Sequence, residues 1–426
     1  MEKPRLASAV QVIQRGNRYI VINPNIPRWL VTDAVGEAVL SLFDGTLTLP
    51  KIIDVATEGL GEDMRPRLQK FCGIVASSGL VEEVAPQLRM YRMKISSVHL
   101  SLSESCNLQC VYCYAKERVE GDYPKMTLAD YKTVIDDILS LSEDVTFTLT
   151  GGEPLLNPDC FEIAEYIKKR GGRAFLLSNG TLFSKTNIDK IAALFDLVTL
   201  SIDGPNEKIH SQTRGDNFAK VIRAVQLMDN RNIDYTLSMT VTKKNIDYVE
   251  DMARKFGGRL NFAPYFPIHG EVSDLAVTGL QYYQALKNAA NVEPLSFCGD
   301  TLSNSLSNPC HKCAIGDGEF SISASGDVYP CQLLHVDEFY AGNIHEKNIK
   351  EIYAHSPVID RCSRLEVDNI EGCRDCAIKY ICGGSCRARA YYEGGDSATA
   401  SDFCKYEKEA FYDAIISIYS ENLLDS

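Results

Sequence analysis

Cys106, Cys110 and Cys113 stand in the run SLSESCNLQCVYCYA (residues 101–115), spaced Cys-x3-Cys-x2-Cys. Three thiolates on one short loop can hold three corners of an iron–sulfur cube, in which cysteine usually takes all four irons. The fourth iron has no local ligand here. An open metal position marks a catalytic rather than a structural site, by the logic established for zinc. A zinc site would need a fourth local Cys or His, and this loop has none.

A second cysteine series lies downstream. Cys313 and Cys331 are followed by Cys373, Cys376, Cys382 and Cys386, spaced x2, x5 and x3, and then by Cys404. Gly326 stands five places before Cys331. A zinc ribbon explains one Cys-x2-Cys pair but not the whole series.

Composition limits what surrounds these cysteines. The chain has 426 residues, is 45% hydrophobic and carries a formal charge of -13. That length favours two or three domains. The acidic balance argues against a nucleic-acid backbone as the main partner, but it leaves room for a local basic groove. No apolar run approaches a membrane span. The start, MEKPRLASAVQVIQRGNRY, lacks the apolar core of a signal peptide. A cytoplasmic location is therefore expected. Thiols stay reduced there, so the 15 cysteines read as metal ligands rather than disulfides.

The elements that must position the cysteines fall into three stretches. Residues 1–88 read as a small α+β domain, with strand-like AVQVI, YIVIN and RWLVT before three helices. Val35, Val39 and Leu42 predict one helical face. LPKIIDVATEGL predicts a second helix, stopped near Gly59 to Gly61. Leu68, Phe71, Cys72 and Val75 line the third. Residues 95–285 alternate strand and helix, with strands at VHLSLS, VTFTLTG, RAFLLSN, LVTLSID, YTLSMTVT and LNFAPYF. Thr127 and Asp130 form a capping-box-like helix start, after which Tyr131, Ile135 and Ile138 share a face. Such alternation predicts a parallel sheet with helices outside, whose active site gathers at the carboxyl ends of the strands. Residues 295–426 are cysteine-rich and turn-rich with little periodicity, and close on a helix at YEKEAFYDAIISIYSENLL. Such a region needs cross-links, which metal clusters supply.

The triplet spacing, with TGGEP (150–154) after the second strand, resembles the radical S-adenosylmethionine (radical SAM) superfamily. That resemblance implies a partial (β/α)6 TIM-like barrel, with the methionine part of SAM on the open iron. It implies that Tyr112 touches adenine and that Gly151, Gly152 and Glu153 bind the methionine amino end. Ser178 and Asn179 in LLSNGT, and Ser201 and Asp203 in LSIDGP, would face the ribose and carboxylate. Arg214 in HSQTRGDNF would pair with the methionine carboxylate, a bidentate geometry that suits arginine. Read singly, each of these polar residues could be a turn or cap residue; for Arg214 the alternative is a surface arginine, and the carboxylate pairing is the favoured reading.

The second series resembles the SPASM extension, which carries two auxiliary iron–sulfur clusters. The resemblance assigns Cys313, Cys331 and Cys386 to the first, and Cys373, Cys376, Cys382 and Cys404 to the second. With the triplet, this implies three [4Fe–4S] clusters. Two cubes with full cysteine ligation need eight thiolates, one more than the pattern supplies. Cys310 is the first choice for the eighth ligand, Cys298 the runner-up, and an open iron that binds substrate the third option. Cys72, Cys160 and Cys362 read as small buried hydrophobes. Residues 1–88, with NPNIPRWLVTDAVGEAVLSLFDG in the middle, resemble the RiPP recognition element. This winged-helix domain takes the leader of a ribosomally made, post-translationally modified peptide as an added strand on a sheet edge. A generic winged helix or packing module is the alternative.

Together these resemblances imply a maturase similar to those that make sactipeptide and ranthipeptide thioethers. It would bind a precursor's leader and use a 5′-deoxyadenosyl radical to modify its core. The expected product is a thioether from a cysteine sulfur to an alpha, beta or gamma carbon, with a carbon–carbon link as the alternative. A flavodoxin or ferredoxin would supply electrons. A second enzyme reading is formylglycine formation on a sulfatase. Relatives with that activity typically have an aspartate after the cysteine matching Cys331, where this chain has Gln332. A third reading is a non-catalytic leader-binding scaffold or electron carrier.

Overall fold

The computed structural model describes residues 3–26, 28–82, 93–113, 124–265, 267, 273–289 and 310–420. Among these, two sheets organise the chain. The larger one contains the six expected parallel strands: β4 (Ser97–Ser103), β5 (Thr146–Gly151), β6 (Arg173–Ser178), β7 (Leu197–Ser201), β8 (Tyr235–Val241) and β9 (Leu260–Pro264). They lie in chain order, each paired with the next. Alternate residues such as Val98, Leu100, Phe147, Leu149, Leu176, Val198 and Leu200 are fully or almost fully buried. They share one core with Ile135, Ile138, Ile163, Ile167, Ile191 and Val221 of the covering helices. The residues between them include His99, Thr148, Thr199, Thr236 and Ser238, which are only partly buried. The period of two along a strand puts these on the opposite, inner face. That face is mostly small and polar.

The first covering helix, Leu128–Leu141, begins where the sequence predicts. Thr127 accepts from the Asp130 backbone N–H, and the Asp130 carboxylate accepts from the Thr127 N–H at 2.7 Å. Tyr131, Ile135 and Ile138 all face the core.

Three further strands join this sheet, and they come from the cysteine-rich region expected to be irregular. β10 (Glu319–Ile322) pairs parallel with β4, while β11 (Asp327–Tyr329) and β12 (Gly342–Asn343) continue antiparallel, giving nine strands. The sequence signal is short. Only Phe320 and Ile322 alternate into the core, and Gly326 turns the β10–β11 hairpin at φ 86°. A Cβ there would come within 2.6 Å of Ile344.

The smaller sheet is antiparallel, in the order β1 (Gln11–Arg15), β2 (Arg18–Asn23), β3 (Arg28–Thr32). Helices Ala34–Leu40, Leu49–Leu60 and Arg65–Ser77 follow it. The second has the predicted span and is capped by Gly61 at φ 105°. The first buries Gly36, Val39 and Leu40 rather than the predicted Val35–Val39–Leu42 face, because it ends at Leu40 and leaves Val35 37% exposed. Val21 and Leu30 point to these helices. Ile20 and Ile22 point the other way, into the core shared with Tyr412 and Ile415 of the C-terminal helix Cys404–Ser420. Arg15 reaches Glu409 at 2.6 Å and lies over the Tyr412 ring. The N-terminal unit is thus docked on the C-terminal helix through one whole sheet face. Among the described residues, no helix is long and apolar enough to cross a membrane.

Replacing Thr127 by Ala should weaken the first turn of helix Leu128–Leu141 by about 1 kcal/mol. Amide hydrogen exchange there should speed up about fivefold, while helix Cys160–Lys169 keeps its wild-type rate. Unchanged exchange at the first turn would show that the box carries no stability.

Candidate active site and metal centres

The cysteine triplet is positioned by two strand ends lying backbone to backbone. The Gly152 N–H donates to Ser103 O at 2.6 Å, and the Glu153 N–H to Ser105 O at 3.0 Å. A Cβ on Gly151 would stand 2.4 Å from Ser103 O, and one on Gly152 2.3 Å from Ser105 O. Glycine is required because no side chain fits between these backbones. Both glycines abut the start of the cysteine loop. Glu153 is fully buried. Its carboxylate accepts from Ser178 Oγ and from the Asn179 N–H, both at 2.9 Å, which ties the ends of β5 and β6 together. Burial raises its pKa. Asn179 forms a local turn and also reaches the cysteine loop. Its Oδ1 accepts from the Thr181 N–H in a local turn, while its Nδ2 reaches Asn107 Oδ1 at 2.9 Å and the Cys106 sulfur at 3.7 Å.

A second network centres on Asp203, which is also fully buried. Its Oδ2 accepts from the Tyr112 hydroxyl and from Thr213 Oγ1 at 2.8 Å, and pairs with Arg214 Nε at 3.0 Å. Its Oδ1 accepts from the Thr240 N–H at 3.1 Å. Arg214 lies over the Tyr112 ring at 5.5 Å and points an N–H at the Cys110 sulfur, 3.9 Å away. Arg214 is therefore engaged by Asp203, a partner the sequence reading did not give it. Ser201 lies at the end of β7, two residues before Asp203. The reading also missed Thr213 and His210. They share the HSQTR run with Arg214 on helix Glu207–Arg214, where i, i+3 and i+4 spacing brings them to one face. Buried His210 accepts the Asp203 N–H at Nδ1 and faces Asn217 Oδ1 with Nε2, and burial lowers its pKa. Its ring is held neutral.

The triplet brackets these networks. Cys106 is exposed, Cys110 buried and Cys113 between the two. Burial raises the Cys106 and Cys110 thiol pKa values; Glu153 and Cys113 add to the rise at Cys106, and Cys113, Asp203 and Cys106 to that at Cys110, while Arg214 pulls Cys110 down.

The later cysteines gather in two places. Cys373, Cys376, Cys382 and Cys404 line one pocket, partly open to solvent, with Arg387, Glu407 and Lys408. Cys313, Cys331 and Cys386 share a separate small apolar cluster. Cys382 and Cys386 enter different sites because the residues between them reverse the chain. Gly383, Gly384 and Ser385 all have positive φ, at 69°, 89° and 61°. Cys404 starts the C-terminal helix, where the helix dipole favours a thiolate. Cys310 lies against Gly383, and Cys298 falls outside the described residues. Cys72, Cys160 and Cys362 are buried in apolar surroundings, as expected.

The donor chemistry of both sets fits iron–sulfur clusters. Burial pushes Cys313 up to about 12, with Cys386 and Glu319 adding to it, and Cys404 up to about 11 against the pull of Lys408. Cys331 and Cys382 rise well above the ordinary thiol value for the same reasons. Thiols crowded into apolar space resist ionising unless cations stand among them, and a bound metal reverses the local pKa order. Among the described residues, no three His, Cys, Asp or Glu side chains are gathered as ligands of a single metal ion. A cube offers its irons on separate sides, so its thiolates stand farther apart than the ligands of one ion.

Residues 100–256 match the Radical SAM superfamily, and residues 310–377 match SPASM, an iron–sulfur cluster-binding domain. The chain carries both domains, and they support S-adenosylmethionine and [4Fe–4S] clusters as its cofactors. An AdoMet-dependent heme synthase of Methanosarcina barkeri is 27% identical over 338 residues, covering 72% of this chain and 95% of that protein. The solved structure of native anSMEcpe with bound AdoMet aligns with TM-score 0.63 and 23% identity, over 76% of this chain and 99% of that one. Streptococcus suis SuiB bound to precursor peptide SuiA aligns with TM-score 0.56 and 14% identity, over 94% of this chain and 100% of that one. At these identities the two structures establish a shared fold.

Gly152→Ala should displace the cysteine loop, since a backbone oxygen cannot swing aside. In protein whose later cysteines are replaced, bound iron should fall at least about twofold. Gly59→Ala, which meets nothing within 4 Å, should retain it. Equal iron in both would rule out the strand-end contact as the support of the triplet.

Proposed function

We propose that this chain is a peptide maturase. Residues 1–88 would bind the leader of a ribosomally made precursor in a winged-helix-like unit, and the site around Cys106, Cys110 and Cys113 would modify its core. The mounting of the N-terminal sheet carries this reading. β1 and β3 each have one paired neighbour among the described residues, so each has main-chain groups to offer an added strand. The same sheet rests on a helix that begins at a cysteine of the second auxiliary set. SuiB, whose structure holds a precursor peptide, aligns over 94% of this chain, a share too large to leave out residues 1–88.

Cys106, Cys110 and Cys113 would hold three corners of a cluster whose fourth iron takes the methionine end of SAM. Once bound and reduced, that pair supplies a 5′-deoxyadenosyl radical able to remove hydrogen from an unreactive carbon. Asn179 and Arg214 aim N–H groups at the Cys106 and Cys110 sulfurs, and such hydrogen bonds tune a cluster's potential. Tyr112 is held by Asp203 and flanked by Tyr265, so its ring is fixed for contact with adenine. Arg214 would reach the methionine carboxylate by sharing its place on Asp203. Gly151, Gly152 and Glu153 would act on the amino end of methionine by shaping the loop around it. Ser178, Asn179 and Ser201 would line the ribose side. The small polar inner face of the sheet leaves room for a peptide segment.

A thioether from a cysteine sulfur is the proposed product, with a carbon–carbon link as the variant. Two auxiliary clusters, a flavodoxin or ferredoxin donor and a cytoplasmic location complete the proposal. The heme synthase relative favours a second reading, in which the chain serves heme synthesis.

Anaerobic incubation with SAM, reductant and a precursor encoded nearby should remove two hydrogens from the peptide for each link formed. Deleting the leader should slow this about tenfold or more, because docking raises the effective concentration of the core. C106A/C110A/C113A should abolish both the product and 5′-deoxyadenosine. A precursor of unchanged mass, while the enzyme converts a porphyrin substrate, would favour the second reading.

A further inference from the structure

Glu319 opens β10 in the stretch between Cys313 and Cys331. In the antiparallel pairing of β10 and β11 Ser321 lies opposite Tyr329, and the Gly316 N–H donates to both Glu319 O and Pro330 O, each at 3.2 Å, which brings Glu319 beside Cys331. Cys313 and Cys331 both feel its charge. Cys331 shares one small cluster with Cys313 and Cys386, so a carboxylate stands beside the three thiols of this set. A cube needs four donors, and the three cysteines supply three.

The backbone fixes this placement. In the parallel pairing of β4 and β10, Ser97 lies opposite Glu319 and His99 opposite Ser321. Leu100 and Phe320 turn into the core, so His99 and Glu319 are diagonal neighbours on the inner face. His99 Nε2 stands 3.6 Å from Glu319 Oε1. Ligating carboxylates are commonly held by an outer partner of this kind. Here that partner sits on the strand that leads into the cysteine triplet. The residue after Cys331 is Gln332, so Glu319 brings in space a carboxylate that does not follow Cys331 in sequence.

Cys310 has other partners. Its N–H donates to Tyr380 O at 2.7 Å, and its thiol donates to Lys312 O at 3.0 Å. Its sulfur packs 2.5 Å from where a Gly383 Cβ would stand, on the flank of the other auxiliary set. We propose that the Glu319 carboxylate, rather than a fourth cysteine, completes the ligand set of the cluster on Cys313, Cys331 and Cys386. This rests on the auxiliary-cluster reading proposed above.

The test uses the full chain carrying C106A/C110A/C113A, so that only auxiliary irons are read. In that background Glu319→Gln should lose about one iron of eight and show a three-iron signal by electron paramagnetic resonance after mild oxidation. Glu319→Cys should restore the four-iron cluster with a shifted reduction potential. Cys310→Ser and Cys298→Ser should match the parent. Parent iron content and spectrum in Glu319→Gln would overturn the proposal, including the case where peptide modification alone is lost, which would make Glu319 a group acting on substrate. If Glu319→Gln loses the whole cluster and Glu319→Cys fails to regain it, the proposal is likewise overturned. If C313A/C331A/C386A removes no iron from the parent, the cluster reading itself fails and takes this inference with it.

Discussion

The contact of Gly151 and Gly152 with the backbone from Ser103 to Ser105 is the constraint on which the rest of the site depends. It joins the carboxyl ends of β4 and β5 more tightly than any residue with a Cβ would allow. The loop bearing Cys106, Cys110 and Cys113 leaves the sheet from that point. Glu153 extends the arrangement to β6 through Ser178 and Asn179. Asp203 does the same from β7, through Tyr112, Thr213 and Arg214, and reaches β8 at the Thr240 N–H. Two buried carboxylates therefore fasten one loop to five strand ends. Each is fully hydrogen-bonded, as a buried charge must be.

The auxiliary sites follow a different rule. Their thiols are brought together in largely apolar space, where burial raises the pKa of Cys382 and Cys331, and a bound metal would reverse that order. Charged groups frame the cavity of the second set. The Arg389–Glu407 pair is buried at 3.3 Å, and Ser385 donates to Glu407. Lys408 lines the same pocket as Cys376. Cys404, Glu407 and Lys408 lie on the first turns of the helix that carries the N-terminal sheet on Tyr412 and Ile415. One helix thus connects the proposed leader-binding unit to a proposed cluster.

Much of this was legible in the sequence because local signals agreed with the fold. The six barrel strands, the Thr127–Asp130 box and helix Leu49–Leu60 fall where alternation, capping and a terminal glycine place them. The two later gatherings were implied by the family resemblance of the cysteine pattern, and Gly383, Gly384 and Ser385 make the reversal between Cys382 and Cys386 that separates them. Long-range pairing was not legible. β10 is four residues long and looks like a turn until β4 lies beside it. Arg214 appeared free to meet a ligand because Asp203, eleven residues earlier in the chain, gives no local sign of facing it. Glu319 was read only as spacing between cysteines. Val35 fits a helical face by period, but the helix is too short for that face to be the buried one.

The central claim is that the triplet holds a cluster with one iron open to SAM. It is tested most directly by electron paramagnetic resonance on full-length protein with the later cysteines replaced, reduced without oxygen, before and after SAM is added. The account predicts one reduced four-iron signal whose shape changes on adding SAM, and no such signal once Cys106, Cys110 and Cys113 are alanine. A spectrum indifferent to SAM, or one that survives loss of the triplet, would contradict it.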